Sequence, residues 1–206
     1  MLDDAEPSGD AGAAAVPAGV RGRRRIAPLV ALGVAVVFAV FFAILAGSKT
    51  RTNESNASTP LLGMPAPSIV GETLDGGTFD LARRRGSWVV LNFFQTTCLP
   101  CQQEHPELVA FDEEQAARPD GAELVTIVWQ DNADAVRSFF AEHGGGTWPV
   151  VLDDADVNVR YGVARVPETW IIDPAGVIRV HYVGAIVNDG PNGLSAKLDE
   201  LRSASP

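Results

Sequence analysis

The sequence predicts an α/β domain, a central mixed sheet with helices on both faces, preceded by one transmembrane helix. Three observations lead there: an uncharged apolar run from Ile26 to Ala46, a nearly continuous apolar strand from Trp88 to Phe94, and strand and helix signals that alternate after it. The chain has 206 residues, enough for one ordinary domain with additions and too few for two large ones. With 46% hydrophobic and 20% charged residues, a packed core is within reach. The net charge of −10 argues against a nucleic-acid partner, because phosphate neutralisation needs a basic face. Two cysteines exclude both a disulfide framework and a four-thiolate zinc site.

Residues 1–25 set Asp3, Asp4, Glu6 and Asp10 against Arg21, Arg23, Arg24 and Arg25, so the whole net charge falls on residues 26–206. Ala, Gly and Pro dominate from Ala11 to Gly19, which reads as a disordered cytoplasmic tail. As a helix rising about 1.5 Å per residue, residues 26–46 span the ~30 Å hydrocarbon core. Four arginines stand immediately before this run and only Lys49 and Arg51 come closely after it, so the positive-inside rule keeps the N-terminus in the cytoplasm. The expected location is therefore the cell membrane, single-pass, with the rest of the chain extracytoplasmic. The run is too long for the apolar core of a cleaved signal peptide, and no A-x-A triplet ends it. Residues 47–62 are small, polar and proline-bounded, the character of a flexible tether, and the domain is expected over 63–206.

Within the domain, the Asp75-Gly76-Gly77 turn between short extended runs predicts a β-hairpin over Ile69 to Leu81. The strand Trp88 to Phe94 has the composition of one buried on both faces. A helix comes next over Cys101 to Ala117, with a kink expected at Pro106, and then a strand over Leu124 to Trp129. Asn132 is a plausible N-cap for a helix to His143, with Val136, Phe139 and Phe140 at helical spacing. A short strand lies near Pro149 to Leu152, with a short helix after it. Thr169 to Ile172, the turn Asp173-Pro174-Ala175-Gly176, and Val177 to Val183 form an antiparallel hairpin, and Leu194 to Leu201 the last helix.

Cys98-Leu99-Pro100-Cys101 lies a short loop beyond a strand and opens a helix, the setting a thiol–disulfide oxidoreductase needs. The unpaired N–H groups and positive end of that helix favour a thiolate at Cys98, and Cys101 lies one turn further, close enough to form the bridge. Cys98 is expected to attack and Cys101 to resolve. The same spacing also suits half a zinc site, but His105, His143 and His181 supply no second short-spaced pair. No cofactor is expected beyond the redox-active Cys98–Cys101 disulfide.

The segments WVVLNFFQTTCLPCQQEHPEL and YGVARVPETWIIDPAGVIRVHYVGAI closely resemble the membrane-anchored thioredoxin-like proteins of the DsbE/CcmG, TlpA and ResA group, which assist cytochrome c maturation and extracytoplasmic disulfide reduction. The likeness runs from about Leu62 to Leu201 and implies a thioredoxin-like fold. It implies that Pro167 is a cis-proline packed against the cysteines, directing the Val166 backbone toward an extended client peptide. Thr97, Leu99 and Pro100, around Cys98, complete the expected client-binding surface. Asn92 stands where thioredoxins carry a buried Asp, and Glu168, beside Pro167, looks like the replacement that exchanges a proton with Cys101. Thr97 departs from the group's usual Trp before the first cysteine. His105 is expected as an exposed helix residue, and Trp129, Trp148 and Trp170 as packing. The implied partners are exported proteins with cysteine pairs, such as apocytochrome c, and a membrane thiol carrier that returns electrons. A disulfide oxidase and a non-catalytic module binding metal or haem-related ligands are the competing functions.

Overall fold

The computed structural model describes residues 27–47, 59–153, 156–190 and 192–204. The chain divides into two units, Met1–Lys49 and Thr50–Pro206. The described part of the first is a single helix, α1 (Ala27–Gly47), one residue offset from the apolar run read in the sequence. Side chains are described only for residues 30–41 of it, all of them exposed. Among the described residues no helix is long and apolar enough to cross a membrane. The expected tail (1–25) and most of the expected tether lie outside the described residues.

The second unit holds β1 (Val70–Glu72), β2 (Thr78–Asp80), a 3₁₀ turn (Leu81–Arg84), β3 (Val89–Phe94), α2 (Leu99–Ala116), β4 (Glu123–Val128), α3 (Ala133–His143), β5 (Val150–Leu152), α4 (Val157–Tyr161), β6 (Glu168–Ile172), β7 (Ile178–Val183) and α5 (Leu194–Ala204). The main sheet has the order β5-β4-β3-β6-β7, with β3, β4 and β5 parallel and β6 and β7 antiparallel to their neighbours. β1 and β2 form the hairpin that Gly76, at φ 84°, permits. Short bridges blunt both sheet edges, with Pro65 bridging to Val177 beside β7 and Thr73 to Val151 of β5.

Every residue of β3 is buried, because each face of the sheet is covered. On one face Val90, Phe94 and Ile171 pack with Leu108 and Phe111 of α2, Phe139 and Phe140 of α3, and Leu194 and Leu198 of α5. On the other, Leu91, Phe93 and Trp170 pack with Ile69, Phe79, Leu81 and the α4 residues Val157 and Tyr161. Leu61 and Leu62 pack against this second cluster, so residues assigned to the tether already contribute to the domain. α2 continues through Pro106 as one helix. Asn132 caps α3 as expected, its Oδ1 accepting the Ala135 N–H at 2.8 Å.

Candidate active site

β3 ends at the C-terminal edge of the sheet, and the Gln95–Thr97 loop carries the chain straight into α2. Cys98 is the N-cap of α2, and its Sγ accepts the Cys101 N–H at 3.2 Å. Pro100 sits in the first turn, where a missing N–H costs nothing. The two cysteines are joined by a disulfide, with their Cα atoms 5.2 Å apart. Cys101 is wholly buried and Cys98 half-buried, while Thr97, Leu99 and Pro100 are exposed around it. The more accessible sulfur thus belongs to the residue at the helix N-terminus.

The Val166–Pro167 peptide is cis, as the resemblance implied. The Val166 carbonyl oxygen lies 3.6 Å from Cys98 Sγ, and the Pro167 carbonyl accepts the Gly184 N–H at 2.9 Å. The backbone of Val166 therefore borders the more accessible sulfur.

Glu168 is buried, and its Oε2 lies 2.7 Å from Nε2 of His181, whose ring stacks on Trp170 with centroids 3.6 Å apart. Alternation along β6 decides what it can reach. Thr169 faces α2, so Glu168 and Trp170 turn to the opposite face with Phe93 and Tyr161. The carboxylate on the cysteine side of the sheet is a different one, Glu104, which the sequence reading did not single out. It lies one turn beyond Cys101 on the same buried stripe of α2 and is 1% exposed. Its Oε1 accepts from Asn92 Nδ2 at 2.8 Å and its Oε2 from the Ile186 N–H at 2.9 Å. Asn92 also donates to Thr169 Oγ1 at 3.1 Å. Burial pushes the Glu104 carboxyl up to about 7, outweighing the Ile186 and Asn92 hydrogen bonds that favour its charge.

His105 is 2% exposed, contrary to expectation, enclosed by Phe94, Phe139, Phe140 and Trp148. Burial holds its imidazole below the usual range, and its Nε2–H donates to the Gly144 carbonyl at 2.8 Å. Trp148 and Trp170 are core residues, as read from the sequence. Among the described residues no group of three or more His, Cys, Asp or Glu side chains is arranged to hold a metal ion.

The sequence pattern of the AhpC/TSA family matches residues 62–181. The chain belongs to this family. Among its relatives, the thiol:disulfide interchange protein HelX of Rhodobacter capsulatus is 32% identical over 155 residues, covering 73% of this chain and 83% of that protein. The thiol-disulfide oxidoreductase ResA of Bacillus subtilis is 30% identical over 151 residues, 73% of this chain and 78% of the relative. A solved structure of a thiol:disulfide interchange protein of the thioredoxin family from Chlorobium tepidum superposes with a TM-score of 0.55 at 27% identity, over 64% of this chain and 91% of that one. This member of the AhpC/TSA family is accordingly a thiol–disulfide oxidoreductase of the DsbE/ResA type with a thioredoxin-like fold.

Proposed function

We propose that the chain is a single-pass membrane protein whose domain faces away from the cytoplasm and reduces disulfides in exported clients such as apocytochrome c. One observation carries the chemistry: half-buried Cys98 sits beside the Val166 carbonyl while its partner Cys101 is sealed in the core. An extended client can hydrogen-bond along the Val166 edge and present its disulfide to Cys98 alone. Support for the anchor comes from exposed Val37 and Phe38 on α1 and from the arginines that precede it.

In the reductive direction the Cys98 thiolate attacks one client sulfur, forming a mixed disulfide and releasing the other client sulfur as a thiolate that takes up a proton. Cys101 then loses its proton and attacks Cys98 Sγ. The second client sulfur leaves and is protonated, and the Cys98–Cys101 disulfide remains. Two electrons pass to the client, and a membrane thiol carrier restores them. Glu104, with its raised carboxyl on the stripe of Cys101, is the group that receives the Cys101 proton in this scheme. Glu168, held by His181 on the other face, supports the strand that begins just after Pro167.

The test is reduction of a synthetic Cys-x-x-Cys-His peptide disulfide by the dithiol form of the full chain. Wild type should release the peptide thiols and Cys98→Ser should not. Equal release by the two proteins, or none by wild type, contradicts the proposal.

A further inference from the structure

The loop that carries Cys98 is held from outside its own helix. Thr96 donates both its backbone N–H and its hydroxyl to Oδ2 of Asp131, at 2.7 and 2.6 Å, and Asp131 Oδ1 accepts the Asn132 N–H at 2.8 Å. The Thr96 carbonyl accepts from Gln102 Nε2 at 2.7 Å, so the N–H, the carbonyl and the hydroxyl of this one residue are all engaged. One residue earlier, Gln95 Nε2 donates to the Gln130 carbonyl at 3.1 Å. Gln130 adopts φ 49°, a left-handed conformation that costs a non-glycine residue on the order of 1 kcal/mol. That cost is sustained because the 130–132 bracket is pinned on both sides. Trp129 N–H bonds the Phe94 carbonyl at 2.8 Å, and Asn132 caps α3.

We infer that Asp131 is a positioning residue for Cys98, acting through Thr96. This deepens the proposed function and concerns the same site. With Thr96 fixed, the Cys98 N–H closes a turn onto the Gln95 carbonyl at 3.2 Å, and Sγ stays under the Cys101 N–H at 3.2 Å. That amide and the helix end behind it are what favour the thiolate. Of the charged and titratable side chains on the neighbouring elements, those next along the chain are Glu104 and His105 on α2; α3 brings Asp134 at its start, and Arg165 and Glu168 flank Val166 and Pro167. Among the described residues Asp131 alone of the charged groups bonds Thr96.

Positioning and bare charge act on Cys98 with opposite signs. A carboxylate near a thiol disfavours the thiolate, so removing it for that reason would make Cys98 more acidic, whereas loss of alignment makes it less acidic.

The experiment measures iodoacetamide labelling of Cys98 across pH in the reduced full chain. Asp131→Ala should raise the labelling midpoint by about one pH unit and slow the reaction about tenfold at pH values below the wild-type midpoint, the effect of one pKa unit. Asp131→Asn keeps an acceptor oxygen for Thr96 and should stay within about twofold of wild type. Thr96→Val should move the midpoint in the same direction as Asp131→Ala, and Thr96→Ser should restore it. The Thr96 pair carries the test should Asp131→Ala fail to fold. Faster labelling in both Asp131 variants, or a Thr96→Val profile that coincides with wild type, overturns the inference. Labelling needs no client, so a wild-type chain inert toward client disulfides would defeat the proposed function while leaving this result to stand or fall alone.

Discussion

Asn92 of β3 donates through Nδ2 to Oε1 of Glu104 on α2, a buried hydrogen bond of 2.8 Å. The strand therefore contributes an amide and the helix the acid, on the face of the sheet that also holds Cys101. An ionised Glu104 is met by two donors, the Asn92 amide and the Ile186 N–H, yet desolvation still outweighs them. The carboxyl can consequently change charge near neutral pH, which its ordinary value would not allow.

Glu104→Gln should slow the resolving attack of Cys101 near pH 7 by about tenfold or more, since positioned proton acceptors contribute at least that much. The wild-type pH profile of single-turnover exchange should bend near 7, and the variant's should not. Because Glu104 and Cys101 are neighbours on one buried stripe, that bend belongs to the pair. An identical bend in both proteins would remove Glu104 from the chemistry.

Stability should carry the same signature. Folding raises the Glu104 carboxyl from 4.5 to about 7, so between those values the native state binds more protons than the unfolded chain. The stabilisation from the protonated acid is complete below about pH 4.5 and is lost as pH rises through 7. The loss totals on the order of 3 kcal/mol. Urea denaturation of wild type against Glu104→Gln should show the variant gaining relative stability across this interval. A difference that stays constant with pH would contradict the shift.

Cys101→Ser should accumulate a mixed disulfide between Cys98 and a client, visible on non-reducing gels, whereas Cys98→Ser should accumulate none. Only the second thiol resolves the intermediate, and Cys101 is wholly buried while Cys98 is half-buried. Equal trapping by both variants would reverse or abolish the assigned roles.

Protease added to spheroplasts should release a soluble fragment beginning between residues 47 and 62 and leave α1 with the membrane fraction. Full protection of the domain in intact spheroplasts would contradict the proposed topology.

Much of this was legible in the sequence. The apolar run of β3, the CxxC that opens α2, the Asn132 cap and the Asp173–Gly176 turn are local signals, and each produced its element. Glu104 was missed and His105 was expected on the exposed side, although their signal was local too. They fall at three- and four-residue spacing between Cys101 and Leu108, within the stripe that α2 buries, and an acidic or imidazole side chain there reads as solvent-facing unless the period is traced strictly. The facing of Glu168 was hidden for a different reason. β6 is buried on both faces, so its composition carries no alternation to tell which side each residue takes, and only the pairing of Asn92 with Thr169 settles it. The bond from Thr96 to Asp131 joins residues 35 apart in sequence, beyond the reach of any spacing rule.

The central claim, a reductase built on Cys98 and Cys101, is tested most directly by the redox state of the pair in growing cells, read by acid quenching and thiol alkylation. The dithiol should be the main form, passing to the disulfide when the membrane electron donor is removed. A pair that stands fully oxidised in untreated cells would contradict it.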